Sequence, residues 1–286
     1  RDASIVVRRN ETHALVGRNG AGKSTLVSLL TGLFPATAGS ILFGGESAPA
    51  LDDRQAWMQR VACVYQRPTV VPHLSVAENL LLNALPERRP GVIDWRQAYE
   101  SAQTELAQWG IDVDPRLSAV ELSVEQRQLV EIARALRRGS RFVILDEPTA
   151  QLDGPEIRRL FDRIRALQDA GVSFLFISHH LDEVFELCSE VTVLRDGRVV
   201  HSGSVSETPM PDLVSHMIGT TASSANPVAR RATVAAPRPK NHAVPVLQVS
   251  GLHVAGLVSD ITLEVRAGEC VGLAGQSSSG KSLVGD

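Results

Sequence analysis

The sequence predicts an α/β fold, with parallel strands covered by helices and a helical insert partway along. Three observations point there. Short apolar runs alternate with helical patterns, as in parallel sheets. A phosphate-binding loop stands between a strand and a helix near the start, and a second copy of that loop closes the chain.

The first loop is Gly17-Arg18-Asn19-Gly20-Ala21-Gly22-Lys23-Ser24-Thr25, of the form G-x-x-x-x-G-K-S. The apolar run Ala14-Leu15-Val16 leads into it, and Leu26, Val27, Leu29 and Leu30 follow at helical spacing. This is the strand–loop–helix context the motif requires. Its glycines let backbone N–H groups approach an anion without a Cβ in the way, and the helix start directs its positive end at the same point. Lys23 is placed to reach phosphate oxygens and Ser24 to hold Mg²⁺.

Gly32-Leu33-Phe34-Pro35 ends the first helix. Gly39-Ser40-Ile41-Leu42-Phe43 reads as a strand, Gly44-Gly45 as a turn, and Arg60-Val61-Ala62-Cys63-Val64-Tyr65 as a buried strand. From Ser75 to Trp109 the pattern is helical. Ser75-Val76-Ala77-Glu78 is a capping box before Leu80-Leu81-Leu82, and Trp95, Ala98, Tyr99, Ala102, Leu106 and Trp109 recur at helical spacing, which places the aromatic residues in the core. Ser123 and Gln126 form another capping box, opening a helix through Leu129, Val130, Ile132, Ala133 and Leu136. The insert therefore runs from about 68 to 136. Strands follow at 142–145, 172–177 and 191–194, and Asp196-Gly197 is a hairpin turn between Leu194 and Val199-Val200.

Residues 220–245 are rich in Ala, Pro, Ser and Thr and read as a linker. The pattern then restarts. Strand-like runs at 247–249 and 261–265 precede Gly275-Gln276-Ser277-Ser278-Ser279-Gly280-Lys281-Ser282, a second phosphate loop about 258 residues after the first. The expected organisation is a first domain over 1–219, the linker over 220–245, and the start of a second, truncated copy over 246–286. The chain lacks an initial Met, starts partway through a strand-like run, Ser4-Ile5-Val6-Val7-Arg8, and stops one helical turn past the second motif, so it is expected to be a fragment.

At 286 residues and 43% apolar content the chain can bury a sizeable core. A net charge of −3 with interspersed signs gives no basic patch for nucleic acid. No apolar run reaches the ~18 residues of a membrane span, and the first residues, Arg1-Asp2-Ala3-Ser4, lack the apolar core expected of a signal peptide. Cys63, Cys188 and Cys270 lack metal-ligand spacing and suit a reducing compartment.

Two carboxylates, Asp146 and Glu147, end the buried run Phe142-Val143-Ile144-Leu145. Asp146 is expected to anchor Mg²⁺, and Glu147 to polarise the water attacking a γ-phosphate. His179, at the exit of the next strand, is a candidate to hold the γ-phosphate, whereas His180 and His201 read as structural or surface residues. Gln66, at the exit of the 61–65 strand, is a candidate contact to the metal or the attacking water. Ser123 and Gln126 read either as simple caps or as a helix N-terminus aimed at phosphate.

Taken in order, the phosphate loop, Gln66, residues 122–126, Asp146-Glu147, Gln151-Leu152-Asp153 and His179 resemble the ATP-binding cassette (ABC) ATPases, P-loop NTPases with a RecA-like core and a helical subdomain. The likeness covers nearly the whole chain. A narrower likeness is to the double-cassette ATPases of simple-sugar importers. It is carried by His13-Ala14-Leu15-Val16-Gly17, residues 19–25, the 122–126 signature with Gln128-Leu129-Val130-Glu131-Ile132-Ala133 after it, and Phe176-Ile177-Ser178-His179-His180-Leu181-Asp182-Glu183.

The resemblance implies ATP and Mg²⁺ as ligands and a head-to-tail sandwich of two cassettes, in one chain or from two copies. Each ATP would lie between one phosphate loop and the other cassette's signature, with Asp153 at the contact. It also implies membrane permease subunits as partners, a periplasmic or lipid-anchored sugar-binding protein acting indirectly, and a peripheral place on the cytoplasmic face of the membrane. The alternative is a soluble tandem-cassette ATPase acting on the ribosome, though such proteins usually have a longer, basic, helical linker.

The chain departs from the family pattern in three ways. Glu125 stands where the signature commonly has a small residue. There it either repels the opposing γ-phosphate, at a cost of ~1 kcal/mol or more if desolvated, or points outward and strengthens the first helical turn. The adenine-stacking aromatic of the family falls upstream of Arg1, and the second signature and carboxylate pair fall beyond Asp286. The second loop, with Lys281 and Ser282, is intact where many relatives have a degenerate one.

Overall fold

In a computed structural model, the structure describes residues 3–65, 69–219, 245–254 and 258–272. The chain divides into two units, Arg1–Ser223 and Ser224–Asp286. The first unit runs β1 (Thr12–Val16), α1 (Lys23–Leu30), β2 (Leu42–Phe43), β3 (Glu46–Ser47), α2 (Arg54–Arg60), β4 (Ala62–Val64) and α3 (Val76–Leu80). It continues through β5 (Glu87–Arg89), β6 (Val92–Ile93), α4 (Trp95–Gln108), α5 (Val124–Arg137), β7 (Phe142–Asp146) and α6 (Gly154–Asp169). Last come β8 (Ser173–Ile177), α7 (Leu181–Leu187), β9 (Glu190–Arg195), β10 (Arg198–Ser204) and α8 (Met210–Ile218).

The main sheet has the order β10-β9-β1-β8-β7-β4 and is parallel except for β10. Its central strands are buried on both faces, which explains why they read as continuous apolar runs. Alternate residues feed two cores. Ala14, Val16, Val143, Leu145, Phe174 and Phe176 face the larger one, where α6 contributes Leu160, Phe161, Ile164 and Leu167 at helical spacing. Phe161 meets Phe176 edge-to-face, with ring centroids 6.0 Å apart. Leu15, Ile144, Leu175 and Ile177 face the smaller core with Val27 of α1 and Trp57 of α2.

The hairpin turn at Asp196-Gly197 has φ of 52° and 75°, the two positive values a type I′ turn demands. The structure departs from the local sequence pattern at five places. Segment 75–109 is not one helical stretch: Gly91 at φ 76° turns a hairpin, β5–β6, between α3 and α4, closed by Asp94 N–H donating to Pro86 O at 2.8 Å. Trp95 is not core but 41% exposed, its ring against Tyr99 at 6.1 Å. Arg60 closes α2, so the expected 60–65 strand is β4 alone. Of 39–43 only Leu42 and Phe43 are in a strand. Residues 4–8 join no ladder among the described residues, although Ile5 and Val7 alternate inward onto the smaller core.

The second unit shows one antiparallel pair, β11 (Leu247–Val254) with β12 (Val258–Val265). The second phosphate loop, with Gly275, Gly280, Lys281 and Ser282, lies outside the described residues, as does Gln66.

Candidate nucleotide-phosphate site

Three adjacent strands, β1, β8 and β7, end at the same edge of the sheet, with Leu15 paired to Ile177 and Ile177 to Asp146. Open parallel sheets bind ligands outside this carboxyl edge. The segments leaving these strands line a cavity of about 900 Å³. Its walls include the loop after β1, Asp146 and Glu147 at the end of β7, His179 after β8, and Met217 from α8.

The loop's shape is enforced by close approach. A Cβ on Gly17 would overlap the carbonyl oxygen of Leu194 and press on Ala21 Cβ at 3.1 Å. Gly22, the residue before α1, sits at φ 104°, in the left-handed region that glycine occupies freely. The β9–β10 turn braces the loop from behind, where Gly197 N–H donates to Ala21 O at 2.9 Å. Lys23 Nζ crosses the loop to donate to Gly17 O at 2.7 Å and Arg18 O at 3.2 Å. Of the predicted loop residues, Gly17, Asn19, Gly20, Gly22, Lys23, Ser24 and Thr25 line the cavity, while the Ala21 side chain turns into the smaller core.

Glu147 has φ 48°, unusual for a non-glycine residue and a mark of functional sites. Its N–H donates to Ile177 O at 2.8 Å, which fixes it to the end of β8. His179 Nδ1 lies 3.2 Å from Glu147 Oε1, so the two predicted residues meet. Burial and the neighbouring Glu147 charge push the Asp146 carboxyl above its ordinary value, only partly offset by Lys23. A half-buried carboxylate beside a second one suits a divalent cation, and the Ser24 hydroxyl lines the same cavity, so the donor set fits Mg²⁺.

Supporting contacts were invisible in the sequence. Glu183 of α7 accepts from Thr149 Oγ1 at 2.8 Å and from Ser178 Oγ at 2.9 Å, joining the segments after β7 and β8. Gln128 of α5 is buried, and its Nε2 donates to Pro148 O at 2.5 Å. His201 is structural, as expected, with its ring stacked on His216 and Nε2 3.0 Å from Thr208 Oγ1.

Ser123 and Gln126 form the expected capping box. Gln126 N–H donates to Ser123 Oγ at 3.1 Å, and Ser123 N–H donates to Gln126 Oε1 at 3.0 Å. They stand apart from the phosphate-loop cavity, in a separate hollow with Glu125 and Arg159. Glu125 does not point outward: it is buried and paired with Arg159 of α6.

A mostly parallel sheet with this loop and carboxylate pair at its carboxyl edge defines a P-loop nucleotide-binding domain. The chain belongs to the ABC transporter family, whose profile matches residues 1–150. It is similar to a nucleotide-free ATP-binding cassette from an ABC transporter (TM-score 0.63, 25% identity, 76% of this chain and 88% of that one). It is also similar to a cassette of an ABC transporter in its ADP conformation (TM-score 0.62, 26% identity, 76% and 91%).

Among curated proteins it is 40% identical to the ribose import ATP-binding protein RbsA of Rhodococcus jostii, over 96% of this chain and 53% of that protein. It is 43% identical to RbsA 1 of Rubrobacter xylanophilus (95% and 52%) and 37% identical to the fructose import ATP-binding protein FruK of Bifidobacterium longum (96% and 53%). The chain thus spans about half the length of the curated relatives it matches.

Proposed function

We propose that the protein of which this chain is part binds and hydrolyses ATP to drive import of a monosaccharide through a membrane permease. The observation that carries this is the convergence of Lys23, Asp146, Glu147 and His179 on one cavity behind a glycine-shaped loop. The loop's N–H groups and Lys23 would hold the β- and γ-phosphates. Glu147 Oε1, oriented by His179, would accept a proton as a water oxygen bonds to the γ-phosphorus. The bond to the bridging oxygen breaks, and ADP leaves with that electron pair. Ser24 and Asp146 would hold Mg²⁺, which when bound neutralises charge on the phosphate oxygens, and Gln66 is assigned to the metal or the water.

In this reading Ser123 and Gln126 serve a nucleotide on an opposing cassette, supplied by the same chain through its second loop or by a second copy, with Asp153 near the contact. The sugar assignment is supported by relatives named as ribose and fructose import proteins, which also disfavour a ribosomal role. It brings permease subunits as partners, a sugar-binding protein indirectly and no nucleic acid, at the cytoplasmic face of the membrane. No helix among the described residues is long and apolar enough to cross a membrane. The test is uptake of labelled pentoses and hexoses by cells with and without the full-length gene. Loss of one sugar supports the reading, and unchanged uptake of all of them refutes the import role.

A further inference from the structure

We infer that Arg159 is a positioning residue that holds the Glu125 carboxylate away from the phosphate that the N-terminus of α5 would receive. This rests on the function proposed above. Glu125 is the second residue of α5, where a carboxylate is drawn to the helix's positive end. There it would occupy the charge meant for a phosphate and repel the phosphate itself. Its side chain is instead paired with α6, 10% exposed, with Oε2 accepting from Arg159 Nε at 3.0 Å.

Arg159 projects from α6, the helix that follows the carboxylate loop, and is itself 57% exposed. The guanidinium thus neutralises a carboxylate that is nearly buried, and it does so from outside the helix carrying the signature. The cap of α5 agrees with this. Helices α3 and α6 close their capping boxes with carboxylates, Glu78 onto Ser75 N–H at 2.7 Å and Glu156 onto Asp153 N–H at 3.0 Å. Helix α5 uses the neutral amide of Gln126 for the same bond. The first turn of α5 is therefore left without an unpaired carboxylate, although its sequence contains one.

The test is ATP hydrolysis by the full-length protein carrying R159A, R159K, E125Q or R159A/E125Q. R159A is expected to lower kcat/KM about tenfold, as a freed like charge near a phosphate would. E125Q in the R159A background should restore the rate to within about twofold, because the charge that Arg159 restrains is gone. R159K should stay near wild type. The R159A defect should shrink at ~0.5 M salt, where the Glu125 charge, uncovered by the loss of Arg159, is screened, a response that a purely structural role would not give.

R159A turning over at the wild-type rate overturns the inference and leaves the function standing, as does an R159A/E125Q protein no faster than R159A. If R159A does not fold, R159Q decides: it lacks the charge and is expected to be as slow, and wild-type turnover in R159Q overturns the inference. Absence of hydrolysis in the wild type overturns the proposed function and this inference with it.

Discussion

Replacing Glu147 by Gln separates binding from chemistry in the proposed mechanism. The substitution keeps size and shape but removes the proton acceptor and one negative charge from the cavity. General-base catalysis contributes about 10²–10⁴ in rate, so hydrolysis by full-length E147Q should fall by at least about a hundredfold. Binding should move the other way. Glu147 shares its cavity with Lys23 and the loop that would hold the phosphates. At roughly 6 Å, with an effective dielectric of 20–40, removing one like-charge contact is worth ~1.4–2.8 kcal/mol. Because Glu147 is partly solvated, the lower value applies, and ATP should bind about tenfold tighter to E147Q than to wild type without divalent metal. Phosphate release reads the first quantity, and titration with a fluorescent ATP analogue in chelator reads the second. Turnover within about threefold of wild type would remove Glu147 as the base, and weakened binding would show that its charge does not face the phosphates.

The same site makes two further outcomes measurable. The Asp146 carboxyl is held above its ordinary value by burial and by Glu147, so the folded state binds this proton more tightly than the unfolded chain. The stability it contributes is present below the ordinary carboxylate pKa and is lost as pH rises through the raised value. D146N should therefore melt higher than wild type at neutral pH without metal, with the gap closing below about pH 4; equal melting temperatures at neutral pH would contradict this. G17A should push its Cβ into the Leu194 carbonyl, a backbone group that cannot turn aside. Overpacking of this kind costs about 1–3 kcal/mol, or roughly 2–12 °C in melting temperature, and ATP binding should weaken with it. An unshifted melting curve would show that β9 and the loop are not in register as described.

What is legible in the sequence is what depends on neighbours in the chain. The phosphate loop, the carboxylates at the end of a buried run and the capping boxes at Ser75 and Ser123 are local patterns, and each folds as read. Strand lengths and burial depend on partners distant in sequence, and there the local pattern misleads. Trp95 fits a helical stripe yet lies where α4 meets solvent, and a hairpin at Gly91 breaks a stretch whose apolar residues look continuous. The same limit hides Glu183, which gains its two donors only when α7 packs beside the carboxylate loop. Met217 and the Gly197 brace likewise become part of the site through tertiary packing. Glu125 shows the limit most sharply. Both of its sequence readings treat it as alone on its helix, while the decisive group, Arg159, stands 34 residues away.

Helix α5 touches both halves of the proposed chemistry. Its first turn carries Ser123, Gln126 and the restrained Glu125, which in the proposed sandwich would serve the opposing cassette's nucleotide. Three residues past Glu125, Gln128 donates to the carbonyl of Pro148, the residue directly after the proposed base in this cassette's own site. Among the described residues its Oε1 finds no partner. A shift of α5 on engaging phosphate would be felt at Pro148, next to Glu147, through one short hydrogen bond, and at α6 through the Glu125–Arg159 pair. In the proposed sandwich, the trans contact and the base would thus be joined within one cassette along a single helix, through Gln128 and Pro148.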